Sequence, residues 1–147
     1  MSSIFDAKGG RLLVGGHIAL QAGLSLQEVV ADGFEFVREI DLKTGLKFRT
    51  TTSQVLADHA VCLAIKFEDD VLKGVNFAFN EYITGDMERD SESMFLLHSE
   101  FLTQELGMPD KQSTLEQSYH FPWGAIGSLK DVRSCTSYIY VSWMQGG

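Results

Sequence analysis

The chain has few of the residues that interrupt or staple a fold: 2 Pro and 2 Cys in 147 residues. So little proline excludes a proline-rich linker or rod, and two cysteines exclude a disulfide-dense secreted scaffold. Cys62 and Cys135 lie far apart, each inside an apolar strand-like run. They read as buried free thiols in a reducing compartment, with one bridge or a reactive thiol as the alternatives. Long apolar runs are also missing, since no stretch reaches the roughly 18 residues that a membrane-spanning helix requires. Residues 1–10 have neither a basic nor an apolar leader segment, so the expectation is a cytoplasmic protein with no membrane contact and no export. Positive charge is scarce as well. Twenty acids against 12 bases leave a net charge of −8, which repels a phosphate backbone and argues against nucleic acid as a partner.

What is present is ordinary globular composition, 44% hydrophobic and 22% charged, enough for one filled core and a single domain over 1–147. Residues 1–10, around Lys8-Gly9-Gly10, and 144–147 read as flexible ends. Arg11 to Leu20 reads as a strand bent at Gly15-Gly16. Ser25 and Glu28 then form a capping box, with Leu24 and Val29 as its hydrophobic staple, starting a short helix that Gly33 ends. From Phe34 the period is two: Phe34, Phe36, Ile40 and Leu42 form an apolar face broken by Arg38. Lys43-Thr44-Gly45 turns the chain into a return strand, Leu46 to Thr52.

Val55 to Phe67 is the longest predicted strand, with Val61, Leu63, Ile65 and Phe67 on one face. Cys62, Ala64 and Lys66 lie on the other, where small residues leave room for a helix. The next strand, carrying Val75, Phe77 and Phe79, pairs with it antiparallel. A long helix follows, acidic at its start and carrying Met94, Leu97, Phe101 and Leu102 at helical spacing until Gly107 and Pro109 stop it. After a polar connector come Tyr119 to Leu129, an edge or bulged strand because of Pro122, and Ser137 to Trp143. The string predicts an α+β fold: a twisted antiparallel sheet of about seven strands with two helices on one face. Its expected core includes Val61, Val75, Phe77, Phe79, Leu97, Phe101, Ile139 and Val141.

Motifs for chemistry are sparse. His17, His59, His98 and His120 have no metal-ligand spacing, and no glycine run has the phosphate-loop context, so no metal or cofactor is expected. Asp58-His59 lacks a nucleophile elbow, and an exposed strand-end histidine is the plainer reading. The final Gly146-Gly147 is shared with ubiquitin-like sulfur carriers, but those are domains of about half this length, and a frayed end explains it more simply. No catalytic residue is assigned. The rival reading is an enzyme or small-molecule binder with a cleft near His59, His120 and Trp123; Ser137 and Ser142 offer hydroxyls with no base placed beside them.

Charge layout says more. Residues 81–110 hold eight acids against one base, Arg89, a net of −7. One reading is a solvated helix face whose first-turn acids serve the dipole. The other is a docking surface for a basic protein partner, with Tyr82, Asp86, Glu88, Asp90 and Glu92 as the contact residues and Phe95 either a neighbour or core. Acids on one exposed helix are not the facing carboxylates of a glycoside hydrolase.

The C-terminal third adds a resemblance. Tyr119-His-Phe-Pro-Trp-Gly124, the strand Ser137-Tyr-Ile-Tyr-Val141, the Leu97 to Gly107 helix and the Ile65-Lys-Phe-Glu-Asp-Asp70 hairpin together resemble small bacterial immunity-type proteins of toxin systems. The resemblance covers about two thirds of the order of elements. It implies a protein that acts by binding a cognate toxin, with no catalytic residue to carry over; joined to the acidic segment, it makes the expected partner a basic toxin domain.

Overall fold

The computed structural model describes residues 4–79 and 84–144. Its elements, in chain order, are β1 (Phe5–Asp6), β2 (Arg11–Leu12), β3 (Leu20–Gln21), α1 (Leu26–Ala31), β4 (Phe36–Asp41), β5 (Leu46–Leu56), β6 (His59–Glu68), β7 (Val71–Phe77), α2 (Met87–Leu106), β8 (Lys111–Gln112), β9 (Glu116–Phe121), β10 (Gly124–Asp131) and β11 (Thr136–Trp143). The fold is α+β, as the pattern predicts. Its main sheet has eight strands in the order β4-β5-β6-β7-β11-β10-β9-β8, and β1-β2-β3 form a small second sheet. Every pairing is antiparallel.

Period-two patterning decides which face is covered. Val61, Leu63, Ile65 and Phe67 of β6 are all buried, together with Val75 and Phe77 of β7, Phe79, and Ile139 and Val141 of β11. Leu12 and Leu20 from the small sheet, Val29 from α1 and Leu102 from α2 complete one continuous core over this face. Leu97 and Phe101 pack against it half-buried. The helix therefore sits on the face of large side chains, and the face of Cys62, Ala64 and Lys66, expected to receive it, stays open. A floor of small residues would bury little apolar area under a helix; the branched and aromatic row buries much more.

A polar belt also fixes α2. Gln117 Nε2 donates to the Ser99 carbonyl (3.0 Å), Thr103 Oγ1 and Tyr119 Oη, and the Tyr119 hydroxyl donates to the Gly107 carbonyl at 2.7 Å. Ser99 and Ser128 hydroxyls meet at 2.8 Å. Each of these side chains thus has a partner, which keeps the helix at one position over β9 to β11.

The expected capping box is present: the Glu28 N–H donates to Ser25 Oγ at 3.1 Å, and the Ser25 N–H to Glu28 Oε1 at 3.2 Å. A six-residue helix is marginal without such a cap. Ser25→Ala is expected to lower stability by about 1 kcal/mol, measured by urea denaturation, with the strand signal unchanged.

Several expectations are corrected. Residues 4–10 are packed rather than a loose lead-in. Ile4 and Phe5 are buried, and the indole N–H groups of Trp123 and Trp143 donate to the carbonyls of Ala7 and Gly10, each at 2.7 Å. The stretch 11–20 is two short strands, not one bent strand. Val55 belongs to β5, because Ala57 and Asp58 both adopt left-handed backbone (φ 49° and 66°) and turn the chain into β6.

The alternation along β4 also breaks. The register shifts between Phe36 and Arg38, so Arg38 opposes Thr50 and Ile40 opposes Phe48 on the open face, and Ile40 is 40% exposed. Residues 119–129 are likewise two strands, folded at Pro122-Trp123. Gly124 makes that fold possible, since a Cβ there would stand 1.9 Å from the Ser142 carbonyl oxygen. Finally, Cys62 is exposed on the open face and Cys135 lies in the β10–β11 turn; both are free thiols, but neither is buried.

Candidate partner-binding site

The acids expected to meet a partner cluster at the start of α2, and most are engaged within the chain. Asp86 is the N-cap and accepts the Arg89 N–H at 3.2 Å. Asp90 accepts the Thr84 N–H (2.8 Å), the Thr84 hydroxyl (2.7 Å) and the Gly85 N–H (3.1 Å). These bonds, led by the one from the Thr84 hydroxyl, hold its carboxyl below the ordinary aspartate range. Glu92 pairs with Lys130 of β10. Glu88 is exposed, with no carboxylate partner among the described residues. Tyr82 lies outside the described residues. Phe95 is 6% exposed and is therefore core rather than a surface neighbour.

Beside these acids is an open cleft of about 520 Å³, lined by Asp86, Glu88 and Arg89 on one side and Lys130, Val132 and Cys135 on the other. Both signs of charge line it, and Val132 among its lining residues stands 59% exposed. Such a lining suits a polar contact around an apolar anchor.

The residues of the rival catalytic reading are not brought together. His59 is on β6 and His120 on β9, with β7, β11 and β10 between them. Trp123 is in the β9–β10 turn. His59 stacks on Phe79, ring centroids 4.2 Å apart, at the mouth of a cleft of about 590 Å³ that also exposes Asp58, Phe101 and Glu105. Among the described residues, no hydroxyl or thiol side chain lines that cleft. Among the described residues, no three His, Cys, Asp or Glu side chains are grouped for a metal ion.

One pairing had no sequence signal: His98 of α2 and Ser137 of β11 meet 3.0 Å apart, Nδ1 to Oγ. The pair is a structural one. The Phe79 N–H donates to His98 Nε2 at 3.0 Å, so Nδ1 carries the ring proton and donates to Ser137, which leaves no basic nitrogen for the serine. Both residues are buried. Desolvation, reinforced by the nearby His59, lowers the His98 pKa to about 4.

No family model and no curated protein matches the chain. Among solved structures, one described as Rhs1-CT in complex with cognate immunity protein RhsI1 contains a similar chain, with a TM-score of 0.53 and 13% identity. The match covers 95% of this chain and 85% of that one. The likeness is one of fold. No helix among the described residues is long and apolar enough to cross a membrane.

Proposed function

We propose that this chain is a non-catalytic protein-binding module of the immunity type, neutralising a cognate toxin domain by covering the toxin's functional surface. The carrying observation is the fold shared, over 95% of the chain, with a chain from a toxin–immunity complex. The partner surface is basic in this reading. Asp86, Glu88, Asp90 and Glu92, with Tyr82, form the contact, Glu88 being the acid with no carboxylate partner among the described residues. Concentrated negative charge would speed encounter with such a partner and disfavour others.

The test uses the protein from the neighbouring reading frame, inactivated and purified. Asp86→Asn, Glu88→Gln and Glu92→Gln together remove charge but keep side-chain size and the helix cap; Asp90 is left intact because it ties down Thr84 and Gly85. Association is expected to slow about tenfold at low salt and to lose most of its salt dependence, while the melting temperature shifts little. Unchanged rates would sink the acidic contact. Failure of the unaltered chain to bind or protect would sink the immunity reading.

A further inference from the structure

Among the described residues, everything that covers the main sheet lies on one face. The opposite face is open, with small and polar residues at its centre and aromatic side chains to either side. Cross-strand rows run Ile40–Phe48–Lys66–Gly74–Ser142 and Thr50–Ala64–Asn76–Tyr140–Gly127. They form a trough: Phe48 on β5 makes one wall, Tyr138 and Tyr140 on β11 the other, and a cleft of about 410 Å³ lies between. The walls are three strand spacings apart, about 14 Å, and an α-helix with its side chains measures about 10–12 Å across.

The tyrosine wall is held in place. Tyr140 lies over Gly127, where a Cβ would meet its ring at 2.5–2.7 Å, and its hydroxyl donates to Glu116 Oε2 at 2.5 Å. A preset aromatic wall loses little freedom when a partner covers it. Charge is divided across the trough. Lys66 and Lys73 line it and have no ion pair among the described residues, in a chain whose net charge is −8. Glu116, on the other side, is occupied by Tyr140.

We propose that this trough between Phe48 and Tyr140 docks an amphipathic helix of the partner protein, apolar along one stripe and bearing carboxylates where it meets Lys66 and Lys73. This inference rests on the reading of the chain as a protein-binding module. Both amines gain a partner that the chain itself does not provide, and the aromatic walls supply the apolar anchors.

The experiment measures binding of the full chain to the inactivated neighbouring-frame protein, comparing Lys66→Glu with Lys73→Glu together, Phe48→Ala alone, and Val30→Glu on the exposed side of α1 as a control. The lysine pair and Phe48→Ala are each expected to weaken binding tenfold or more, and the control to bind like the unaltered chain. Should Phe48→Ala impair folding, the half-buried lysine pair decides the matter by itself. Normal binding by the lysine pair overturns the groove while leaving the protein-binding reading intact. Disruption of a homodimer by these changes, with partner binding intact, overturns it in favour of a second copy of the chain. An unaltered chain that does not bind removes the reading and the groove together.

Discussion

Phe79→Ala is expected to destabilise the protein by about 3–5 kcal/mol, the range for a large aromatic side chain removed from a filled core. Phe79 is 1% exposed and joins four rings from three elements: His59 stacked at 4.2 Å, Phe101 edge-on at 5.0 Å, His98 edge-on at 5.6 Å and Phe77 tilted at 5.7 Å. These contacts connect β6, β7 and α2, so the cavity left by alanine has walls that cannot all move inward. The Phe79 N–H also positions His98, and that backbone bond survives the change of side chain. The melting temperature should fall by about 10 °C, using the usual 2–4 °C per kcal/mol for a domain of this size. A fall of less than 3 °C in thermal denaturation would show that the ring cluster relaxes freely. Phe121→Ala, where the ring is half-buried at the end of β9 and stacked on Trp123, should cost clearly less.

The main pattern was legible because period-two alternation survives wherever one sheet face is buried. Val61 to Phe67, Val75 to Phe79 and Ser137 to Trp143 all lie where their alternation places them. Expectation failed where a turn contained residues that seldom mark one. Ala57 and Asp58 take left-handed backbone without a glycine between them, so β5 and β6 read as one strand on one side and a shorter strand on the other. The bulge at Val37 turned Ile40 outward, which no periodicity count detects. Two indole N–H bonds to the carbonyls of Ala7 and Gly10 tie down the first residues over more than a hundred positions of sequence, and nothing local to residues 4–10 signals them.

The candidate site was legible as charge but not as geometry. The acids of residues 86–92 were evident from composition. Their individual roles depend on neighbours distant in the chain, as with Lys130 beside Glu92, or on the backbone at Thr84 and Gly85. The trough was less legible still. Phe48, Lys66, Lys73 and Tyr140 come from four strands, and their meeting depends on β11 inserting beside β7, a pairing across the whole length of α2. Long-range pairing of this kind has no signature in a local window.

Stability should fall steeply on mild acidification, and His98 supplies the reason. Its ring is fully buried and neutral, taking the Phe79 N–H at Nε2, so a second ring proton would have to replace that bond and place a charge among Phe79, Phe77 and Leu102. With a folded pKa near 4 against an unfolded value of 6.5, the unfolded chain binds the proton first. Stability contributed by the neutral ring is complete above pH 6.5 and is lost as pH falls from there toward 4, reaching about 3 kcal/mol at most. Asp6 and Asp90, whose pKa values are lowered below 3.8 mainly by a hydrogen bond from the Gly9 N–H and from the Thr84 hydroxyl respectively, withdraw their contributions only at still lower pH. Urea titrations between pH 7 and 4.5 therefore separate the histidine from these two carboxylates. His98→Gln, whose amide oxygen can accept the Phe79 N–H, should be less stable at pH 7 but show a flatter profile across this interval. An equally steep profile in that variant would move the proton uptake to another group and leave His98 with a packing role alone.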